Sequence, residues 1–154
     1  MASYSTTVKT DWDAETAFDY LSKFSNVADW DPSIPSARHL GGDPGQPGAR
    51  YEVDIELFGR KNTMPYEAIT VERPRRVVLR SDDGGLISVD TLTFESLPAG
   101  GTAVSYDADL TLKGARNLLD PLLQLLFNRM GAQARDGLAE RLAEAPPAKD
   151  APGG

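Results

Sequence analysis

The sequence contains no cysteine and a single histidine among its 154 residues. Without cysteine, disulfides, thiol nucleophiles and thiolate metal ligands are excluded. A lone histidine together with the lack of cysteine argues against a zinc or haem site, so we expect no metal and no cofactor. That histidine, His39, stands beside Arg38 and ahead of a glycine-rich segment, with no nucleophile close to it in sequence. We therefore expect it at a strand edge or on the surface.

Long hydrophobic runs are missing as well. The most apolar segment, 118–127, is interrupted by Asp120, Pro121 and Gln124, whereas a helix that crosses a bilayer needs ~20 apolar residues. The first residues, Met1 to Thr6, lack the basic and apolar regions of a secretory signal. The sequence thus predicts no integral membrane segment and a cytoplasmic location.

Positive charge is scarce. Sixteen lysines and arginines face 23 acidic residues, which gives a formal net charge of −7. A surface of that sign repels phosphate backbones. We expect no nucleic-acid partner.

Two segments alternate cleanly between apolar and polar residues, namely 51–57 and 104–112. Such alternation predicts strands of an antiparallel sheet with one buried face. In the first segment, Glu52, Asp54 and Glu56 are expected to face solvent. Further strands are predicted at 6–10, 34–40, 63–72, 75–81 and 86–97, the last with uncertain parity, and short helices at 14–21 and 24–29.

A long helix is predicted at 118–142. Its apolar residues recur every four positions and form one stripe: Leu118, Leu122, Leu126, Met130, Ala134, Leu138 and Leu142. A stripe of this length needs a large apolar partner, and the sheet is the only candidate. A helix lying across a curved sheet can leave a hollow that binds small apolar ligands. Residues 1–144 are expected to form one domain, and 145–154 a disordered tail.

The order of these elements, together with several local segments, resembles the START-like (SRPBCC) superfamily, which includes the polyketide cyclase/dehydrase and lipid-transport group. The segments are 26–32 (NVADWDP), 74–77 (PRRV), 94–95 (FE), 100–104 (GGTAV) and the leucine-rich terminal helix. The resemblance implies the helix-grip fold of the birch pollen allergen. That fold is of the α+β class: a curved seven-stranded antiparallel sheet surrounds a long C-terminal helix, with two short helices after the first strand.

Candidate ligand-binding residues follow from this arrangement. They are the residues expected on the inner faces of the sheet and helix: Trp30, Tyr51, Val53, Ile55, Tyr66, Arg80, Asp90, Phe94, Tyr106, Leu122, Leu126 and Met130. Trp30 either closes the open end of the grip or stacks on a ligand. Arg80 and Asp90 stand in mid-strand, where an inward charge is costly unless it is paired. An Arg80–Asp90 pair would create a polar spot, whereas the simpler interpretation turns Arg80 toward solvent.

Three functions remain open, because members of this superfamily include carriers, enzymes and interaction domains. The first is binding or transport of a small hydrophobic ligand (a lipid, polyketide, quinone or aromatic metabolite) by a monomer or homodimer. The second is a cyclase, aromatase or dehydrase in which Tyr51, Arg80, Asp90 or Tyr106 moves protons, which requires that at least two of them meet on one wall. The third is a cochaperone-like interaction module with a filled core.

Overall fold

The computed structural model describes residues 2–57, 59–112 and 120–147. The elements follow the order β1 (Ala2–Thr10), α1 (Ala14–Leu21), a 3-10 helix (Phe24–Asp29), β2 (Ser36–Gly41), β3 (Arg50–Leu57), β4 (Arg60–Glu72), β5 (Arg76–Asp82), β6 (Leu86–Ser96), β7 (Thr102–Leu112) and α2 (Asp120–Ala143). The strands form one antiparallel sheet in the order β1-β7-β6-β5-β4-β3-β2. The predicted α+β helix-grip architecture is confirmed. None of the helices described is long and apolar enough to span a bilayer.

Several strand boundaries differ from the prediction. Strand β1 begins four residues before Thr6, β2 begins at Ser36 instead of Ile34, and β4 begins at Arg60 instead of Thr63. The register pairs Leu57 with Arg60. Gly59 makes this possible with a φ of 73°, a backbone conformation that costs glycine little.

Asp54 corrects the expectation that all acidic residues of β3 are solvated. It points to the outer face of the sheet but is buried. Its carboxylate accepts hydrogen bonds from Arg38 at 3.1 and 3.2 Å, from Ser36 at 2.6 Å and from Thr63 at 2.7 Å. These donors, with the Arg38 guanidinium foremost, hold the pKa of Asp54 well below its usual range. The neighbouring strands cover the carboxylate, which alternation within β3 does not reveal.

Helix α2 is tied to β1 at both of its ends. Near its start, the Gln124 side chain accepts from the backbone N–H of Ser3 at 3.0 Å and donates to the Ser3 carbonyl at 2.9 Å. Near its end, the Thr10 hydroxyl donates to the carbonyl of Leu142 at 2.8 Å. These bonds fix the direction in which the helix runs and hold its apolar side over the interior.

The apolar stripe of α2 departs from the prediction in its first half. The buried positions are Phe127, Met130, Ala134, Leu138 and Leu142. Leu122 is 65 % exposed and Leu126 is half-buried, while Leu118 lies outside the described residues. The reason is geometric, because each step of four residues overshoots a full turn by roughly 40°. Leu122, two steps before Met130, has therefore rotated away from the core.

Gly137 marks the point where α2 passes closest to the backbone of another segment. A Cβ built on Gly137 collides with the carbonyl oxygen of Trp30. Alanine normally stabilises a helix by about 1 kcal/mol relative to glycine. Here we expect Gly137→Ala to destabilise the protein by about 2–3 kcal/mol, because the helix must shift.

Urea denaturation measures this effect. The matched control is Ala139→Gly, an exposed position two residues further along α2, which should cost about 1 kcal/mol of propensity alone. A Gly137→Ala variant as stable as wild type would contradict the close approach.

Candidate functional site

A small internal cavity, here called the central cavity, lies between the inner face of the sheet and α2. Its volume is about 40 Å³, room for roughly two or three water molecules. Most of its wall is apolar, and its polar groups include a cluster around Asp90 and the pair Asp31 and Ser33. The lining residues are Tyr4, Asp31, Ser33, Ile34, Ile55, Met64, Tyr66, Ser88, Asp90, Tyr106, Ala108, Leu110, Phe127, Met130, Gly131 and Ala134.

Five of the residues singled out from the sequence line this cavity. Ile55 comes from β3, Tyr66 from β4, Asp90 from β6, Tyr106 from β7 and Met130 from α2. The structure therefore brings together residues from four strands and the terminal helix. The sequence left uncertain which alternate residues of β6 face inward. The structure shows that the even positions do, because Ser88, Asp90, Leu92 and Phe94 are all buried on the inner face.

Four others are buried in the core around the cavity without lining it. The Trp30 ring meets the Tyr106 ring edge to face, with 5.4 Å between centroids, and Phe94 packs in the same manner on Phe18. Val53 is fully buried. The Tyr51 hydroxyl accepts a hydrogen bond from the backbone of Gly45 at 3.0 Å, so Tyr51 anchors the glycine-rich segment.

The remaining three predicted residues do not reach the cavity. Arg80 lies on the outer face of β5 with 43 % of its side chain exposed, 3.5 Å from Asp82. The hypothesis of an Arg80–Asp90 pair is wrong, because the register places Leu79 opposite Asp90 and turns Arg80 to the other face. Leu122 is exposed on α2, and Leu126 stands beside the lining residue Phe127 without joining it.

The polar cluster of the cavity is a chain of hydrogen bonds that ends on Asp90. The Tyr106 hydroxyl donates to one carboxylate oxygen at 2.9 Å, and the Ser88 hydroxyl donates to the other at 3.1 Å. The Tyr66 hydroxyl in turn donates to Ser88 at 2.9 Å. All four side chains are buried. Their hydroxyl hydrogens point along the chain toward Asp90.

Burial dominates the electrostatics of this cluster. It raises the pKa of Asp90 from 3.8 to about 7, although the bonds from Tyr106 and Ser88 act in the opposite direction. Burial also raises the pKa of Asp31, which shares the cavity and contributes a repulsive charge to Asp90. A carboxyl group with a pKa near neutrality can give or accept a proton at physiological pH.

Sequence reasoning missed three residues whose hydrogen bonds form the polar part of the wall, Asp31, Ser33 and Ser88. Ser88 stands two positions before Asp90 and shares its face of β6, so the correct parity would have found it. Asp31 follows Trp30 in an irregular segment, where its carboxylate accepts from the backbone N–H and hydroxyl of Ser33 at 2.9 and 2.7 Å. Across the part of the chain that the structure describes, no group of three or more His, Cys, Asp or Glu side chains could hold a metal ion.

Comparison with known proteins gives a consistent classification. A family model described as polyketide cyclase/dehydrase and lipid transport matches residues 1–144. No curated protein matches the chain.

Solved structures share the fold at low identity. The Zhui aromatase/cyclase from a Streptomyces species is 14 % identical, with a TM-score of 0.75 over 91 % of this chain and 92 % of that one. A START superfamily protein from Mycobacterium smegmatis is 17 % identical, with a TM-score of 0.75, and the match covers 92 % of this chain and 97 % of that one. The major latex-like protein 151 from Panax ginseng is 12 % identical, with a TM-score of 0.68, and the match covers 93 % of this chain and 98 % of that one. At these identities the likeness shows the fold alone.

Proposed function

The chain belongs to the polyketide cyclase/dehydrase and lipid-transport family, and on that premise we propose that it binds a small hydrophobic ligand in the central cavity. The observation that supports this is a largely apolar wall that carries a few polar groups, centred on Asp90 and Asp31. Apolar lining supplies affinity through burial, and a few convergent polar groups fix orientation. In this proposal Asp90, Tyr66 and Tyr106 hold the polar group of the ligand.

The cavity must widen to accept such a ligand. Its volume is about 40 Å³, whereas an engineered cavity that binds benzene measures about 150 Å³. Met64 and Met130 line it from opposite sides, one on β4 and the other on α2. Methionine has three rotatable side-chain bonds and adapts its shape readily. We propose that rotation of these two side chains makes room for the ligand.

Met130→Ala tests this directly. The variant should lose about 2–4 kcal/mol of unfolding free energy, since a buried side chain is replaced by a void. It should also bind the neutral fluorescent probe N-phenyl-1-naphthylamine more tightly than wild type, because the cavity is already open. Titration of probe fluorescence, combined with urea denaturation, measures both effects.

Leu122→Ala is the matched control. It removes a side chain of similar size from the exposed side of the same helix, and it should change neither stability nor probe affinity. If wild type and Met130→Ala bind no probe, the central cavity is not a ligand site and a filled-core interaction module becomes the better interpretation. Equal gains in both variants would place the probe on the surface.

A second candidate is an enzyme of the cyclase or dehydrase type. The observation in its favour is that two of the residues proposed to move protons, Asp90 and Tyr106, meet on one wall 2.9 Å apart. In this version Asp90 removes a proton from an activated carbon, and Tyr106, released from Asp90 once that carboxylate is protonated, turns its hydroxyl to donate to the developing enolate. Asp90→Asn should then abolish cyclisation of a synthetic poly-β-ketone thioester without abolishing its binding. Equal cyclisation rates with wild type and variant would contradict the enzyme function, and the carrier function would then be the one that stands.

Cellular location and assembly remain predictions of the sequence. We expect a cytoplasmic protein, monomeric or homodimeric, with residues 1–144 as its one domain. Of the expected tail, residues 145–147 are exposed and lack regular structure, and 148–154 lie outside the described residues.

A further inference from the structure

The charges around the central cavity have one sign. Two of its lining residues carry carboxyl groups, Asp31 and Asp90, and both are buried. No lysine, arginine or histidine is among the lining residues that the structure describes. A buried carboxylate without a positive partner is strongly destabilised. The described part of the cavity wall therefore lacks a counter-charge, and a cationic ligand can supply it.

Hydrogen-bond accounting leads to the same conclusion. Each of the three hydroxyl groups has one hydrogen, and each donates it within the series of hydrogen bonds that ends on Asp90; the groups are those of Tyr106, Ser88 and Tyr66. What these groups leave open to a ligand is lone pairs. At Asp31, Ser33 donates twice to one carboxylate oxygen, and the second oxygen has no donor among the residues described. The wall thus accepts hydrogen bonds and offers few.

From this juxtaposition we propose that the ligand of the central cavity is a hydrophobic amine, bound as its ammonium ion between Asp31 and Asp90. The inference rests on the proposed function and specifies its ligand class. An ammonium group brings both the missing positive charge and up to three donors. A fatty acid or another carboxylate would bring a third negative charge and more acceptors to a wall that already has an excess of both.

Among the residues that the structure describes, no positively charged side chain contacts Asp90 and takes the place of the ammonium. Ser88 flanks it on its own strand, Tyr106 donates to it from β7, and Tyr66 reaches Ser88 from β4. Asp31, in the segment after the 3-10 helix, lines the same cavity and contributes a repulsive charge. The other contributing charge is that of Asp109, on the outer face of β7, which is also negative. The neighbours thus provide neutral hydroxyls and negative charges.

Linkage between ligand and proton gives the proposal a distinctive signature. The ammonium binds best when Asp90 is ionised, so binding and protonation of Asp90 compete. Amine affinity should fall about tenfold per pH unit below the pKa of Asp90, and should level off above it. A neutral ligand of the same shape should show no such dependence, because it carries no charge to couple with Asp90.

The test uses three probes that share one skeleton: 2-phenylethylamine, 2-phenylethanol and phenylacetate. We expect 2-phenylethylamine to bind wild type at least about tenfold more tightly than 2-phenylethanol at about pH 8, where the amine is still an ammonium. Phenylacetate should bind at least about tenfold more weakly than the alcohol, because like charges repel. Protein NMR shifts during titration give the three dissociation constants and locate each probe.

Asp90→Asn and Asp31→Asn should each reduce the preference for the amine over the alcohol, because a charge that selects the amine is lost. In Asp90→Asn the ratio of the two affinities should fall below about threefold. The matched control is Asp107→Asn, which removes one carboxylate from the outer face of β7 and should preserve the preference. Two variants at separate positions keep the test informative if one of them folds poorly.

The outcomes separate the two proposals. Phenylacetate binding as well as the amine would overturn the amine inference and leave hydrophobic binding intact. The amine inference would also be overturned, and hydrophobic binding kept, if none of the three small probes bound to wild type or to Met130→Ala while N-phenyl-1-naphthylamine still bound. Failure of every probe, including that one, would overturn both.

Discussion

Between about pH 4 and about pH 7, the Asp90→Asn variant should gain about 3 kcal/mol of unfolding free energy relative to wild type. The reason is the burial of this carboxyl group, which raises its pKa from 3.8 to about 7 in the folded protein. Over that interval the folded state holds a proton that the unfolded state has released. Stability from the protonated group is complete below the unfolded pKa and is lost as the pH rises through the folded one. Asparagine is neutral throughout and avoids that loss.

The measurement is urea denaturation of both proteins at several pH values, and the informative quantity is the difference between them. Asp54 acts in the opposite direction, since its lowered pKa adds stability that disappears on acidification. Its contribution is common to both proteins and cancels. Asp107→Asn again serves as the control and should follow the wild-type profile. A difference that stays constant with pH would show that Asp90 is not desolvated.

Trp30→Ala should destabilise the protein by about 3–5 kcal/mol, the usual cost of emptying a large aromatic site. Only 3 % of Trp30 is exposed. Its ring packs edge to face on Tyr106, the residue that donates to Asp90. Its carbonyl oxygen lies against Gly137 of α2. Trp30 thus joins the 3-10 helix, the sheet and the terminal helix.

Chemical denaturation of Trp30→Ala beside Trp30→Phe measures this contribution. Phenylalanine keeps an aromatic edge against Tyr106 and should cost less than half as much as alanine. A loss below about 1 kcal/mol in Trp30→Ala would contradict the close packing of the ring.

Periodicity in the sequence was a good guide to element type and a poorer guide to which face a residue occupies. Strand β4 shows why. Its inner residues Met64, Tyr66 and Ala68 occupy even positions, but the register with β5 shifts between Ala68 and Thr70. Beyond this bulge, Val71 pairs with the buried Val77. One extra residue exchanges the inward and outward positions in the rest of the strand. The alternation of nearby residues does not reveal this bulge.

Helix α2 shows the same limit for a different reason. A four-residue repeat identifies a helix, but it drifts around the axis. The point at which the apolar stripe meets the sheet depends on how the helix is anchored, here through Gln124 to Ser3 at one end and Leu142 to Thr10 at the other. Those contacts join residues more than a hundred positions apart. The exposure of Leu122 therefore could not be inferred from 118–142 alone.

The features that the sequence determined by itself were local. Alternation of apolar and polar residues specified antiparallel strands, apolar spacing specified the long helix, and the lack of cysteine excluded thiol chemistry. Only the tertiary structure decided that Asp31, Tyr66, Ser88, Asp90 and Tyr106 share one cavity while Arg80 does not. These residues come from three strands and one irregular segment, and strand register together with long-range packing sets which of their side chains meet. A buried carboxyl group acquires its chemistry from the neighbours that desolvate it, and those neighbours are assembled only by the fold.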